Sequence, residues 1–321
     1  MDNKENIIQP GRETKKFFKV DEVAHNPKFE SSIPPEITHK ILEEENITEV
    51  PELTSSIVED FVIQQLQEGE QSEEDIINNF FTSPAVDNLR EKSEEIKNIS
   101  DRLDWDIILS NEQIENIKNE MVADMRVFEI DEEKINQFEN IDIVFTDEGG
   151  VSASSVNNQK ITVDRLQIVR RTMDYLSLGQ ESSFEEIARA IAINTIAHEL
   201  GHQVQVITGV GYNLQSEWKN DVPSERFAEG WARHATDKNQ KFADIVNKLR
   251  ILQVAKVNQV WEKVKDKKID LTKVFNRIIE KVDPKFKKFL ESRYLLYGVN
   301  APENYALPYS FEAIKKELMK K

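Results

Sequence analysis

The sequence predicts an α+β protein, predominantly helical, in which a small β-sheet packs on one long buried helix between an acidic helical front and a helical C-terminal region. Three observations carry that expectation. From Glu36 to Glu139 a single glycine occurs, Gly69, and apolar residues recur at helical spacing. Between Ile141 and Thr146 the apolar period changes to two. From Ile187 to Ile207 almost every residue outside His198, Glu199 and His202 is apolar or small, apart from Arg189, Asn194, Gln203 and Gln205, the signature of a helix buried on most of its sides.

Residues 1–35 are polar, mixed in charge and closed by Ile33-Pro34-Pro35, so no ordered element is expected there. Residues 36–140 form the acidic helical region, a regulatory or interaction unit. One apolar stripe runs through Ile57, Phe61, Val62 and Leu66, and a mixed pattern through Leu103, Trp105, Ile107, Ile108, Ile114 and Ile117. Thr54 or Ser55, Ser72 with Asp75, and Ser110 with Gln113 are helix starts. His25 and His39 have no ligand partner at helical spacing and read as surface or packing residues.

At Ile141 strands begin. Ile141, Ile143 and Phe145 alternate with more polar positions up to Gly149-Gly150, and Lys160–Asp164 forms a second strand after Asn157-Asn158. The intervening Val-Ser-Ala-Ser-Ser is also compatible with extended chain. Residues 165–178 read as a short helix. The long helix starts at Ser183, with Glu186 completing a capping box, and stops at Gly209 and Gly211. Asp221, Pro223 and Ser224 open the next helix, whose apolar stripe is Phe227, Ala228, Trp231 and Ala232. Residues 141–240 thus form a core unit, and residues 241–321, with two or three further helices and a last one capped by Ser310, complete it.

With 321 residues and no cysteine, the chain has length for about two domains and only histidine and carboxylate as strong metal ligands. The start carries no apolar signal core, and no run of 18 apolar residues occurs, which predicts a soluble, cytoplasmic protein. The net charge of −17 divides into −21 for residues 1–140 and +4 for residues 141–321. So acidic a front argues against nucleic acid or an anionic membrane as partner; it favours solubility or a basic protein partner.

The chemistry concentrates in His198-Glu199-Leu200-Gly201-His202. Two histidines four apart on a helix offer their imidazoles to a single point, and the acid after the first lies beside that point, placed to hold and deprotonate a water. A chain of this composition would produce such a pattern by chance about 0.014 times. Zn²⁺ in a catalytic site needs a third protein ligand. Glu217, Asp221, Glu225, Glu229 and His234 follow closely enough to supply it. Glu225 and Glu229 are four apart and share a face, whereas His234 lies about half a turn round from Glu225.

HELGH followed 23 residues after His202 by the first acid of Glu225-Arg-Phe-Ala-Glu229 resembles the gluzincin class of zinc metallopeptidases. The resemblance spans about Ile141 to Asp237 and implies a minimal zincin-like sheet beside the helix. It implies one Zn²⁺ per chain held by His198, His202 and Glu225, with Glu229 orienting His198; the reversed order of the two acids stays open. It further implies Glu199 as general base on a zinc-bound water in the hydrolysis of a protein or peptide substrate. That substrate would pair with an edge strand at 141–146 or 160–164. The metzincin pattern would want Gly at 205 and a ligand at 208, where this chain has Gln205 and Thr208. Tyr212, His234, Tyr305 and Tyr309 are available to stabilise an oxyanion. The competing expectation is a non-catalytic interaction or assembly protein that keeps a zinc-stabilised, peptidase-like domain; a third is that the front acts as a removable inhibitory arm.

Overall fold

A computed structural model describes residues 57–69, 71–147, 153–155, 160–178, 182–210, 222–249 and 311–319, with the single positions 252, 273, 274, 277, 278 and 281. The expectations for residues 1–35, His25, His39, Thr54, Ser55, Glu217, Asp221, Ser310 and the three tyrosines 212, 305 and 309 lie outside the described residues. Among the described residues the chain is predominantly helical with one small sheet. Among the described residues no helix is long and apolar enough to cross a membrane.

The front comprises α1 (Ile57–Glu68), α2 (Glu73–Thr82), α3 (Pro84–Arg102), α4 (Trp105–Ile108), α5 (Asn111–Val127) and α6 (Glu132–Glu139). Their starts follow from sequence chemistry. Ser72 with Asp75 and Ser110 with Gln113 form reciprocal capping boxes, each satisfying two backbone N–H groups that the helix leaves without partners. Ser83 caps α3 just ahead of Pro84, which has no N–H to satisfy. The stripe of α1 is buried at Ile57, Phe61, Val62 and Leu66.

Three strands follow: β1 (Asp142–Thr146), β2 (Ala153–Ser155) and β3 (Lys160–Asp164). They form one sheet in the order β1-β3-β2, with β1 parallel and β2 antiparallel to β3. This corrects the expectation that residues 160–164 could present a free edge. β3 is bonded on both sides, and its buried Ile161 and Val163 fit a central position. Among the described residues the two edges are β1 and the short β2, which formed from the stretch the sequence marked only as compatible with extended chain.

Asp164 ends β3 and caps α7 (Arg165–Leu176) through the backbone N–H of Gln167. The long helix is α8 (Phe184–Thr208). Ser183 accepts from the backbone N–H of Glu186 at its start, and Gly209 at φ 67° ends it, a left-handed conformation that suits glycine. Sixteen of its 25 residues are buried, so it is the core's central rod. α9 (Val222–Thr236) packs along it, a helical stretch at 240–249 follows, and α10 (Phe311–Leu318) closes against α9.

One apolar core runs across the change of pattern at residue 140. Ile108, Met121, Met125, Phe128, Ile135 and Phe138 of the front pack with Ile161, Ile187, Ile191, Leu200 and Trp231. Trp231 is fully buried and meets Phe128 and Phe311 at ring-centroid distances of 6.0 and 5.0 Å. A truncation of such a residue typically costs about 3–5 kcal/mol. Arg189 of α8 fastens the front polar-side as well, donating to the backbone oxygens of Ile108 at 2.9 Å and Ile107 at 2.6 Å. A second core, Ile57 to Ile96, closes over Val169, Val274 and Ile278.

Candidate metal centre

The site is built on the face of α8 that carries His198 and His202. Four residues apart, their rings meet edge to face with centroids 4.8 Å apart, and the two Nε2 atoms lie 3.2 Å from each other. Two nitrogens bound tetrahedrally to one zinc at its usual 2.0–2.1 Å would be about 3.3–3.4 Å apart. The observed spacing therefore fits convergence on a single ion.

What turns both Nε2 atoms to that point is the occupation of both Nδ1 atoms. His198 Nδ1 lies 3.2 Å from Glu229 Oε2, and His202 Nδ1 lies 3.1 Å from Gln205 Oε1. An imidazole whose Nδ1 carries the proton toward a side-chain oxygen leaves Nε2 as the lone-pair nitrogen, which is how a metal-ligating histidine is fixed in tautomer and rotation. Glu229 is a carboxylate with 17% of its side chain exposed, and His198 has 19%, so the contact is shielded but not sealed from solvent. Gln205 is buried and reaches His202 from three residues on, along the same helix.

Glu229 reaches His198 because α8 and α9 run unusually close at Gly201. A Cβ placed on Gly201 would stand 2.8 Å from Ala228 Cα, 3.1 Å from Ala228 O and 3.2 Å from Trp231 Cβ. The glycine of HELGH is thus the point where the two helices touch backbone to backbone. Phe227, Ala228, Trp231 and Ala232 bury the rest of the seam.

Glu199, the residue after His198, is buried and engaged in an interaction of its own. Glu225 is placed on α9 one helical turn before Glu229; its side chain lies outside the described residues. Among the described residues no three His, Asp or Glu side chains form a group able to hold a metal. The donor chemistry nevertheless suits zinc, with two imidazoles on one helix and a further acid sited by sequence on the helix packed against it.

His234 does not join this centre. Its Nε2 lies 3.1 Å from Asp124 Oδ2 of α5, and its ring stacks flat on Phe311 of α10 at 3.5 Å between centroids. It fastens the C-terminal helix to the front. Sequence reasoning missed Gln205 as a partner of His202, although an amide three residues past a candidate ligand histidine on one helix is a recognisable signal. It also missed Arg171, which α7 brings against α8 at Thr195.

Compared with models of known protein families, with curated proteins and with solved structures, the chain matches none.

Proposed function

We propose that the chain is a zinc-dependent metallopeptidase in which His198, His202 and Glu225 hold one Zn²⁺ and Glu199 is the general base. The observation that carries this is the pair of Nε2 atoms 3.2 Å apart, each on a ring whose Nδ1 is taken up by a side-chain oxygen. A bound zinc supplies Lewis acidity and brings the pKa of a water to near ~7.

The rest falls to the protein's own groups. Glu229 keeps the proton of His198 on Nδ1, and Gln205 does the same for His202. Glu199, one position past His198 and buried, receives the proton of the attacking water and hands it to the leaving amine when the peptide C–N bond breaks. Substrate backbone has two sheet edges to pair with, β1 and β2, and β2 is the one against α8.

The test is a paired comparison of wild type and Glu199→Gln for zinc content, thermal stability and cleavage of a broad peptide library. A general base contributes typically ~10²–10⁴-fold, so cleavage should fall at least that far while zinc and stability hold. Stoichiometric zinc with no cleavage by either protein, on any substrate, would instead assign the chain to the zinc-stabilised interaction module. Absence of zinc after chelation and reconstitution would remove both assignments.

A further inference from the structure

Arg171 is a buried cation that the proposed reaction does not use. It is 9% exposed on α7, its Nη1 donates to Thr195 Oγ1 at 3.2 Å, and its Nε has no acceptor. Among the described residues it makes no ion pair, whereas its buried neighbours Arg170 and Asp174 have partners of their own. Taking a guanidinium out of water without a counter-charge is costly, so a buried one held by a single hydroxyl is poised for an anion.

Its position says which anion. Thr195 precedes His198 by three residues and Glu199 by four. At 100° per residue it points within about 20° of His202, 40° of Glu199 and 60° of His198 about the axis of α8. Arg171 is therefore tied to the same face that carries the metal centre, toward the helix start by about 4.5 Å from the level of His198 and about 10.5 Å from that of His202. An extended peptide advances ~3.3 Å per residue, so that span is about one to three residues of bound chain. A planar guanidinium pinned at Nη1 keeps its remaining donors for the two oxygens of a carboxylate.

We propose that Arg171 is a carboxylate anchor for the substrate, binding a peptide carboxylate within about one to three residues of the bond that Glu199 addresses. The inference rests on the peptidase assignment of the HELGH helix. The carboxylate comes from one of two sources, the C-terminus of the peptide or an Asp or Glu side chain.

The experiment reads binding, not turnover. Full-length Glu199→Gln protein, with and without added zinc, is titrated with fluorescein-labelled decapeptide pools of otherwise uncharged sequence. The pools carry a free or an amidated C-terminus, and Glu or Gln at one internal position. The expected result is binding about tenfold or more tighter for one carboxylate pool than for its amide counterpart, as a charge-assisted pair provides. Which pool prevails identifies the source. Arg171→Met in the same background should abolish the difference, Arg171→Lys should keep part of it, and Thr195→Val should weaken it.

A preference below threefold, no binding by any pool, or a preference unchanged in Arg171→Met would each overturn the anchor. If Arg171→Met does not fold, an unchanged preference in both Arg171→Lys and Thr195→Val does so. Failure of the peptidase assignment shows elsewhere, in missing zinc or in a wild-type protein that cleaves nothing.

Discussion

Replacing Gly201 by alanine adds one methyl group at the tightest point between α8 and α9. That methyl carbon would stand 2.8 Å from the Cα of Ala228, where carbon atoms normally rest at ~3.5–4.0 Å, so the helices must part by roughly 1 Å. No rotamer change relieves the clash, since the obstructing atoms are backbone at Ala228 and the Cβ of the fully buried Trp231. Overpacking of this kind costs about 1–3 kcal/mol. Alanine returns about 1 kcal/mol through its better helix propensity, which leaves a net loss of about 0–2 kcal/mol. At ~2–4 °C per kcal/mol, the melting temperature should drop by no more than about 8 °C. The metal site should suffer more. The His198–Glu229 contact crosses this seam at 3.2 Å, and a displacement of roughly 1 Å takes it beyond hydrogen-bond range. Loss of such an orienting partner typically weakens metal binding about 10–100-fold. Thermal unfolding and zinc competition against a chromophoric chelator measure the two effects separately. Zinc affinity within twofold of wild type, together with an equal or higher melting temperature, would refute both the close approach and its role in holding Glu229 to His198.

Other substitutions sort the roles of neighbouring residues. Glu229→Ala and Gln205→Ala should each weaken zinc binding about 10–100-fold in the same chelator competition, because each frees the Nδ1 of one histidine. Glu225→Ala, which removes the proposed third ligand, should weaken it further than Glu229→Ala; the opposite ranking would place Glu229 on the metal and Glu225 behind it. His234→Ala should lower stability by about 1 kcal/mol in denaturant unfolding, through loss of its stacking on Phe311 and its partly exposed contact with Asp124, with zinc affinity unchanged. Loss of cleavage by His234→Ala with stability intact would restore it as an oxyanion donor.

Much of the local architecture could be read from residue patterns because its causes are local. Capping boxes at Ser72 and Ser110, the stop at Gly209 and the period-two runs at 142–146 and 160–164 each depend on residues within a few positions of one another. The convergence of His198 and His202 is likewise a consequence of four-residue spacing on one helix. Sheet order was not legible, since nothing in the alternation of Lys160–Asp164 says whether one or two neighbours bond to it. Nor was the tightness of the Gly201 seam, which depends on Ala228 and Trp231, 27 and 30 residues further on. The isolation of Arg171 depends on what α8 places opposite α7. In the sequence it is one of two adjacent arginines in an ordinary helical stretch.

The acidic front takes on a different meaning once its contacts are traced. A removable inhibitory arm should leave behind a closed core, yet residues from Ile108 to Phe138 are packed into the same apolar cluster as Ile187, Ile191 and Trp231. Stripping them away would expose that face of α8 and free Arg189 from the carbonyls of α4. Charge follows the same course. Glu73 pairs with Lys273 at 2.5 Å, Glu74 with Arg277 and with Lys281 at 3.8 Å, and Glu120 with Lys238 at 2.6 Å. Each is partly exposed and worth only ~0–1 kcal/mol, too little to hold the regions together. Their consistent sign matches the packed arrangement, with acids of α2 and α5 meeting Lys and Arg of the later half. Part of the chain's charge asymmetry is therefore met within the chain itself, where basic residues of the later half face acids of the first.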